Sequence, residues 1–240
     1  MPIDRRAILG AGAVMAASAG TASAKDRNVS QLAPTKDGYS TLTPDEALQY
    51  LIRGNEAFLS DKPAAPPLGA KRRLELAKGQ APFVAYVSCS DSRVPPELLF
   101  GRGLGELFIV RNAGNTVDTA AMGSIEFAVA VLRVPLIVVM GHESCGAVKA
   151  AQAVVETNAV FPGSIDDMIQ PIIPAVLAAR DADGKIETEN ATRQNVRRVV
   201  NNLRTEASPL LLEPQRQGKL KVVGAYYELD EGRVDFFDLI

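Results

Sequence analysis

Three short apolar runs, over 83–88, 106–111 and 135–140, constrain the fold most tightly. Each is rich in valine, isoleucine, leucine or phenylalanine, each is too short for an ordinary helix, and none alternates cleanly with polar residues. Continuous apolar runs of that length read as strands buried on both faces. Between the second and third lies 120–132, alanine-rich and long enough for a helix. Strand, helix, strand in that order predicts an α/β fold with a mainly parallel central β-sheet flanked by helices and joined by right-handed crossovers.

The remaining segments fit the same architecture. Thr43, Pro44 and Glu46 form an N-terminal helix signal, and Leu48, Leu51, Ile52, Asn55, Phe58 and Leu59 then recur at helical spacing. Further helices are expected over 71–78, 165–179, 187–206 and 209–217, and a closing pair of strands over 219–228 and 233–239 around Asp230-Glu231-Gly232. No internal repeat and no second domain is visible, so 41–240 is expected to be a single domain. At the N-terminus, Arg5-Arg6 precede an apolar stretch over 7–20 that ends in Ala22-Ser23-Ala24. This pattern predicts a twin-arginine-type signal peptide over 1–24, removed after Ala24, and a periplasmic or otherwise exported protein with no stable membrane anchor after processing. The polar residues 25–40 are expected to form a flexible leader. With 26 basic residues against 28 acidic ones and no basic patch, the chain has no electrostatic footprint for nucleic acid.

Metal-capable residues follow directly on two of the strand runs: SCSDSRV over 88–94 and GHESC over 141–145. Strand ends are where open α/β sheets bind ligands. Cys89, His142 and Cys145 would supply two thiolates and one imidazole to a zinc ion, leaving a fourth tetrahedral position for water or for Asp91. They include the single His and both Cys of the chain. Taken by themselves, the cysteines also suit core thiols or a disulfide in an oxidising compartment. His142 alone suits a turn residue, and Asp91 with Arg93 suits a local surface ion pair.

The succession KGQAP, SCSDSRV, ELFIVRNAGN, GSIEFAV and GHESCGAVKA resembles the β-class carbonic anhydrases, most closely over 48–150. The resemblance implies Zn2+, one per chain, on Cys89, His142 and Cys145, and a catalytic dyad of Asp91 and Arg93. It further implies that Gln80 donates a hydrogen bond to a bicarbonate oxygen, as in plant-type members. Phe108, Ala113 and Phe127 would line a small apolar pocket for carbon dioxide, and the Gly146 amide would help hold the product. Phe127 stands where some relatives have Tyr, so a hydroxyl contact is lost there. The resemblance also implies a homodimer or higher even oligomer whose two chains shape each pocket.

The implied reaction is reversible hydration of carbon dioxide to bicarbonate and a proton by a zinc-bound hydroxide. Two thiolates neutralise the metal charge, so a somewhat alkaline working range is expected. Arg93 would act as a gatekeeper, holding Asp91 off the metal. No second histidine exists to carry the proton away; Tyr86 and Glu143 are shuttle candidates by residue type alone. Rival readings are a zinc hydrolase of another small linear molecule, such as carbon disulfide, and a non-catalytic exported binding protein stapled by a Cys89–Cys145 disulfide.

Overall fold

A computed structural model describes residues 31–205 and 207–239. The expected signal over 1–24, its cleavage site and residues 25–30 lie outside the described residues. In chain order, β1 (Thr35–Lys36) and β2 (Tyr39–Ser40) precede α1 (Pro44–Leu59) and α2 (Ala70–Leu76). Next come β3 (Val84–Ser88), α3 (Pro96–Leu99), β4 (Leu107–Arg111), α4 (Thr119–Ala130) and β5 (Leu136–His142). The rest comprises α5 (Gly146–Thr157), α6 (Ser164–Ile169), α7 (Ile173–Ala178), α8 (Thr188–Thr205), α9 (Pro209–Arg216), β6 (Lys221–Tyr227) and β7 (Val234–Phe236).

The main sheet has the order β4-β3-β5-β6-β7. Its first four strands are parallel and β7 runs antiparallel to β6. Every residue of β3 and β5 is buried, which is why their sequences carry unbroken apolar runs. The edge strand β4 is half-buried except at Val110. The chain leaves β3 toward β4 and then crosses back past β3 to lay down β5. Strand order therefore reverses between β3 and β5, the crevice in which open α/β sheets bind ligands.

Helices cover both faces. Tyr86, Met140 and Phe100 pack with residues of α1 on one side, while Ala85, Val87, Val139 and Val222 pack against α4, α8 and α9 on the other. A third cluster joins α5 and α7 to Cys89 and Cys145. Helix α1 starts at the expected capping box: the Glu46 amide donates to the Thr43 hydroxyl, and the Thr43 amide donates to the Glu46 carboxylate. Gly54 lets this helix lie against α3, because a Cβ there would sit 2.1 Å from the Phe100 carbonyl oxygen. Among the described residues no helix is long and apolar enough to cross a membrane.

Two expectations are corrected. The helix expected over 165–179 is broken into α6, a 3-10 turn (Gln170–Ile172) and α7. Pro171 and Pro174 each lack the amide donor that a continuous helix needs. Residues 31–40, expected as part of a flexible leader, are ordered by specific contacts. Asp37 and Gly38, both at positive φ, close the β1–β2 hairpin. Upstream, the amide of buried Ala33 donates to Glu106 Oε1 at 2.8 Å. The buried Glu106 carboxylate needs donors, and it also accepts from the Gly103 amide at 2.8 Å and pairs with Arg102 at 3.6 Å.

Candidate metal centre

The parallel register sets Ser88 opposite Arg111 on one side and Met140 on the other, so the chain exits β3 at Cys89 beside the end of β5 at His142. The next turn, through Ser144 at φ 54°, brings Cys145 back to the same edge as N-cap of α5. This turn is pinned at both ends of Glu143: its amide donates to the Tyr227 carbonyl at 2.8 Å, and its carboxylate accepts from the Leu229 amide at 2.9 Å. The Cys89 and Cys145 sulfurs and a His142 ring nitrogen then lie within 4.8 Å of one another, all on buried residues.

The His142 ring is held in one orientation. Its Nδ1 lies 2.8 Å from the Glu143 carbonyl oxygen, which can only accept, so Nδ1 carries the proton and donates. Nε2 is thereby left with a lone pair. It is buried and has no hydrogen-bond partner, an arrangement that is costly unless a metal takes the lone pair. Both cysteines are free thiols in this structure. The Cys145 hydrogen bond to Cys89 holds the Cys89 thiol down to about 4, helped by the Gly114 amide, which donates to Cys89 Sγ at 3.3 Å. The same pairing, with burial, pushes the Cys145 thiol up. A divalent cation between the two buried sulfurs would let both be thiolates. An N,S,S donor set with that spacing suits zinc.

Asp91 guards the open side. Its Oδ2 lies 3.9 Å from His142 Nε2. Arg93 holds both carboxylate oxygens, Nε to Oδ1 at 2.9 Å and Nη2 to Oδ2 at 2.7 Å, and its amide also donates to Oδ1. This fork keeps the Asp91 carboxyl well below the usual carboxylate range.

The other expected residues divide. Ala113 packs beside Cys89 and Cys145, and Gly146 opens α5 with its Cα face clear of other atoms. Phe108 and Phe127 lie together, ring centroids 6.2 Å apart, but with the α4 cluster rather than the cysteine cluster, and Phe127 is 46% exposed. Gln80 is exposed at the N-terminal end of β3, whereas the cysteines sit past its C-terminal end. The strand alone spans about 16 Å, so Gln80 does not reach the centre of its own chain. Tyr86 is sealed in the core with its hydroxyl on Met140 Sδ at 2.6 Å, and the Glu143 carboxylate is committed to Leu229, so neither is placed to relay protons.

Two supporting residues were not anticipated. Arg111, at the end of β4, donates from Nε to the Cys89 carbonyl at 2.9 Å and from Nη2 to the Asp91 carbonyl at 2.6 Å. Buried Asn195 of α8 donates to the Gly114 carbonyl at 2.9 Å, fixing the turn whose amide meets Cys89. Arg111 stands inside the quoted ELFIVRNAGN stretch, where a charge ending an apolar strand was a readable signal. Asn195 falls on the apolar face of α8, between Ala191 and Val196.

Comparison with known proteins agrees with this geometry. The carbonic anhydrase family model matches residues 84–234. Carbonic anhydrase 2 of Mycobacterium tuberculosis is 41% identical over 197 residues, covering 82% of this chain and 94% of that relative. A carbonic anhydrase of Mycolicibacterium smegmatis is 40% identical over 192 residues, covering 80% and 92%. Among solved structures, a tetrameric β-carbonic anhydrase of the ascomycete Sordaria macrospora superposes with a TM-score of 0.62 at 27% identity, over 79% of this chain and 96% of that one. Sheet order, donor set and sequence kinship together place the chain in the β-class carbonic anhydrase family.

Proposed function

We propose that the family reaction, reversible hydration of carbon dioxide to bicarbonate and a proton, runs in this chain at one zinc ion per protomer held by Cys89, His142 and Cys145. The observation that carries this reading is the buried, unpartnered Nε2 of His142 facing two cysteine sulfurs. Zinc bound there supplies the Lewis acidity that makes water a nucleophile under mild conditions. The Glu143 carbonyl fixes the imidazole tautomer, and the amides of Ala147 and Val148 at the start of α5 favour the Cys145 thiolate. Asp91, kept ionised and turned by Arg93, is positioned to accept a proton from a water molecule beside His142 Nε2. In this arrangement Arg93 is the gatekeeper that denies Asp91 a place among the metal donors.

Each pocket is completed by a second chain. Gln80 is too far from its own centre to touch substrate there, Phe127 is exposed, and the Sordaria macrospora relatives are tetrameric, all of which favour an even oligomer. Export through the Arg5-Arg6 signal completes the reading, supported by the apolar stretch and Ala22-Ser23-Ala24 that follow it.

Stopped-flow carbon dioxide hydration near pH 8.5 on metal-quantified protein tests the chemistry. Rapid turnover with about one zinc per chain, both lost in Cys145→Ala, is the expected result; zinc-loaded protein with no rate above buffer would overturn it. Mixing Gln80→Ala with Cys145→Ala chains tests the shared pocket. Activity above that of either variant is expected, and none after subunit exchange would place Gln80 outside the reaction.

A further inference from the structure

A cavity of about 120 Å³ lies between α8, the start of α4 and the turn at Pro171. Its size exceeds the ~10–15 Å³ that one water needs, so it has room for a molecule of several non-hydrogen atoms. Residues 195, 198, 199, 202 and 203 present one face of α8 to it, following helical spacing. Two of them carry uncommitted polar groups. Arg198 and Asn202, one turn apart, have no side-chain hydrogen bond or ion pair among the described residues. The other basic side chains of α8 are engaged: Arg193 and Arg204 in ion pairs, Arg197 over the Phe237 ring. The remaining wall is mostly apolar, formed by Val117, Met122, Pro171, Val199 and Leu203.

We propose that this cavity binds a short-chain monocarboxylate, with the carboxylate on Arg198 and Asn202 and the alkyl tail against Val117, Met122 and Val199. A lone guanidinium beside an amide donor matches a carboxylate's acceptors, and the apolar wall favours an alkyl chain over a fully polar anion. The position is distinct from the metal centre but adjoins it. Asn195, in the same wall, holds the Gly114 carbonyl, and the Gly114 amide meets Cys89 Sγ.

Ligand-observed NMR titration of butyrate into the zinc-loaded protein tests the site, with carbon dioxide hydration recorded in parallel to separate butyrate acting at the metal. Saturable binding with a millimolar Kd is expected, weakened about tenfold or more in Arg198→Ala, since a charge-assisted contact is lost. Val199→Phe, which fills the cavity, should also abolish it, while inhibition of turnover by butyrate stays as in the wild type. Wild-type affinity in both variants, or no saturable binding up to about 50 mM, well above the millimolar Kd expected, would overturn the proposal.

Discussion

Replacing Arg111 with Met should loosen the metal centre without touching a ligand. The substitution keeps an unbranched aliphatic stem at the end of β4 and removes the guanidinium that holds the Cys89 and Asp91 carbonyls at 2.9 and 2.6 Å. Hydrogen bonds from a charged group contribute about 1.5–3 kcal/mol each. Arg111 is only half-buried, so water partly replaces both contacts, and a net loss of about 2–3 kcal/mol follows. That energy holds the backbone from Cys89 to Asp91, which carries one of the proposed zinc donors and the carboxylate proposed to be held off the metal. Loosening it should weaken zinc binding about 10–100-fold, the usual consequence of losing an outer partner of a metal site. Competition with a chromophoric chelator reads this directly, and thermal unfolding of the loaded protein reads the lost stability. Arg111→Lys, able to reach one carbonyl at a time, should fall between the two. Wild-type zinc affinity and turnover in Arg111→Met would show that the loop is held by β3 and the Gly114 contact alone, and would refute the reasoning.

Glu106→Ala removes the acceptor for Ala33 and Gly103 and leaves the buried Arg102 guanidinium without its ion pair to this carboxylate. A loss of about 3–5 kcal/mol is expected, seen as a fall in Tm of several degrees together with faster proteolysis within 31–40, and an unchanged Tm would refute it. In zinc-free protein, Arg93→Ala should raise the Asp91 carboxyl toward the ordinary range near 3.9, observed by carbon-13 carboxyl titration. In the wild type its depressed pKa means that the pairing stabilises the fold fully above the ordinary carboxylate pKa and is lost as pH falls through the lower folded value. The variant should lack that acid-side contribution and lose most turnover while keeping zinc. An Asp91 titration unmoved by the substitution would contradict the control assigned to Arg93.

The sheet and the strand-end positions of Cys89 and His142 were legible for one physical reason. Buried parallel strands cannot hide polar residues, so 83–88 and 135–140 stand out as apolar runs, and the first polar residues after them stand at the strand ends. Cys89 and His142 were therefore placed by the hydrophobic pattern before any geometry was known. The neighbour relation that makes them meet was not legible, because β3 and β5 are separated by a whole strand and helix, and only hydrogen-bond register makes them adjacent. Arg111 and Asn195 were missed because they act on backbone carbonyls, and a side chain that bonds to backbone leaves no complementary residue in the sequence to find. The packing of residues 31–34 was missed for a related reason: its acceptor, Glu106, lies in an unremarkable charged position and becomes a reason for order only once buried.

Gln80 and Phe127 separate two kinds of information that the motifs combine. Cys89, Asp91, Arg93, His142 and Cys145 are joined by contacts within one chain, from the 2.7 Å fork at Asp91 to the shared sulfur cluster. Their arrangement therefore follows from strand order. Gln80 precedes the same strand that Cys89 follows, and no rearrangement short of unfolding β3 can bring the two ends together. If Gln80 touches substrate, it does so in another protomer's site, and the half-buried edge strand β4 with exposed Phe127 is one flank where such a neighbour would gain apolar burial. A single chain thus brings Cys89, His142 and Cys145 together and leaves Gln80 remote from them, which is why the proposed substrate pocket calls on a second chain. Dilution below the dissociation constant of the oligomer should then lower turnover before it releases zinc, an order of loss that a self-sufficient monomer would not show.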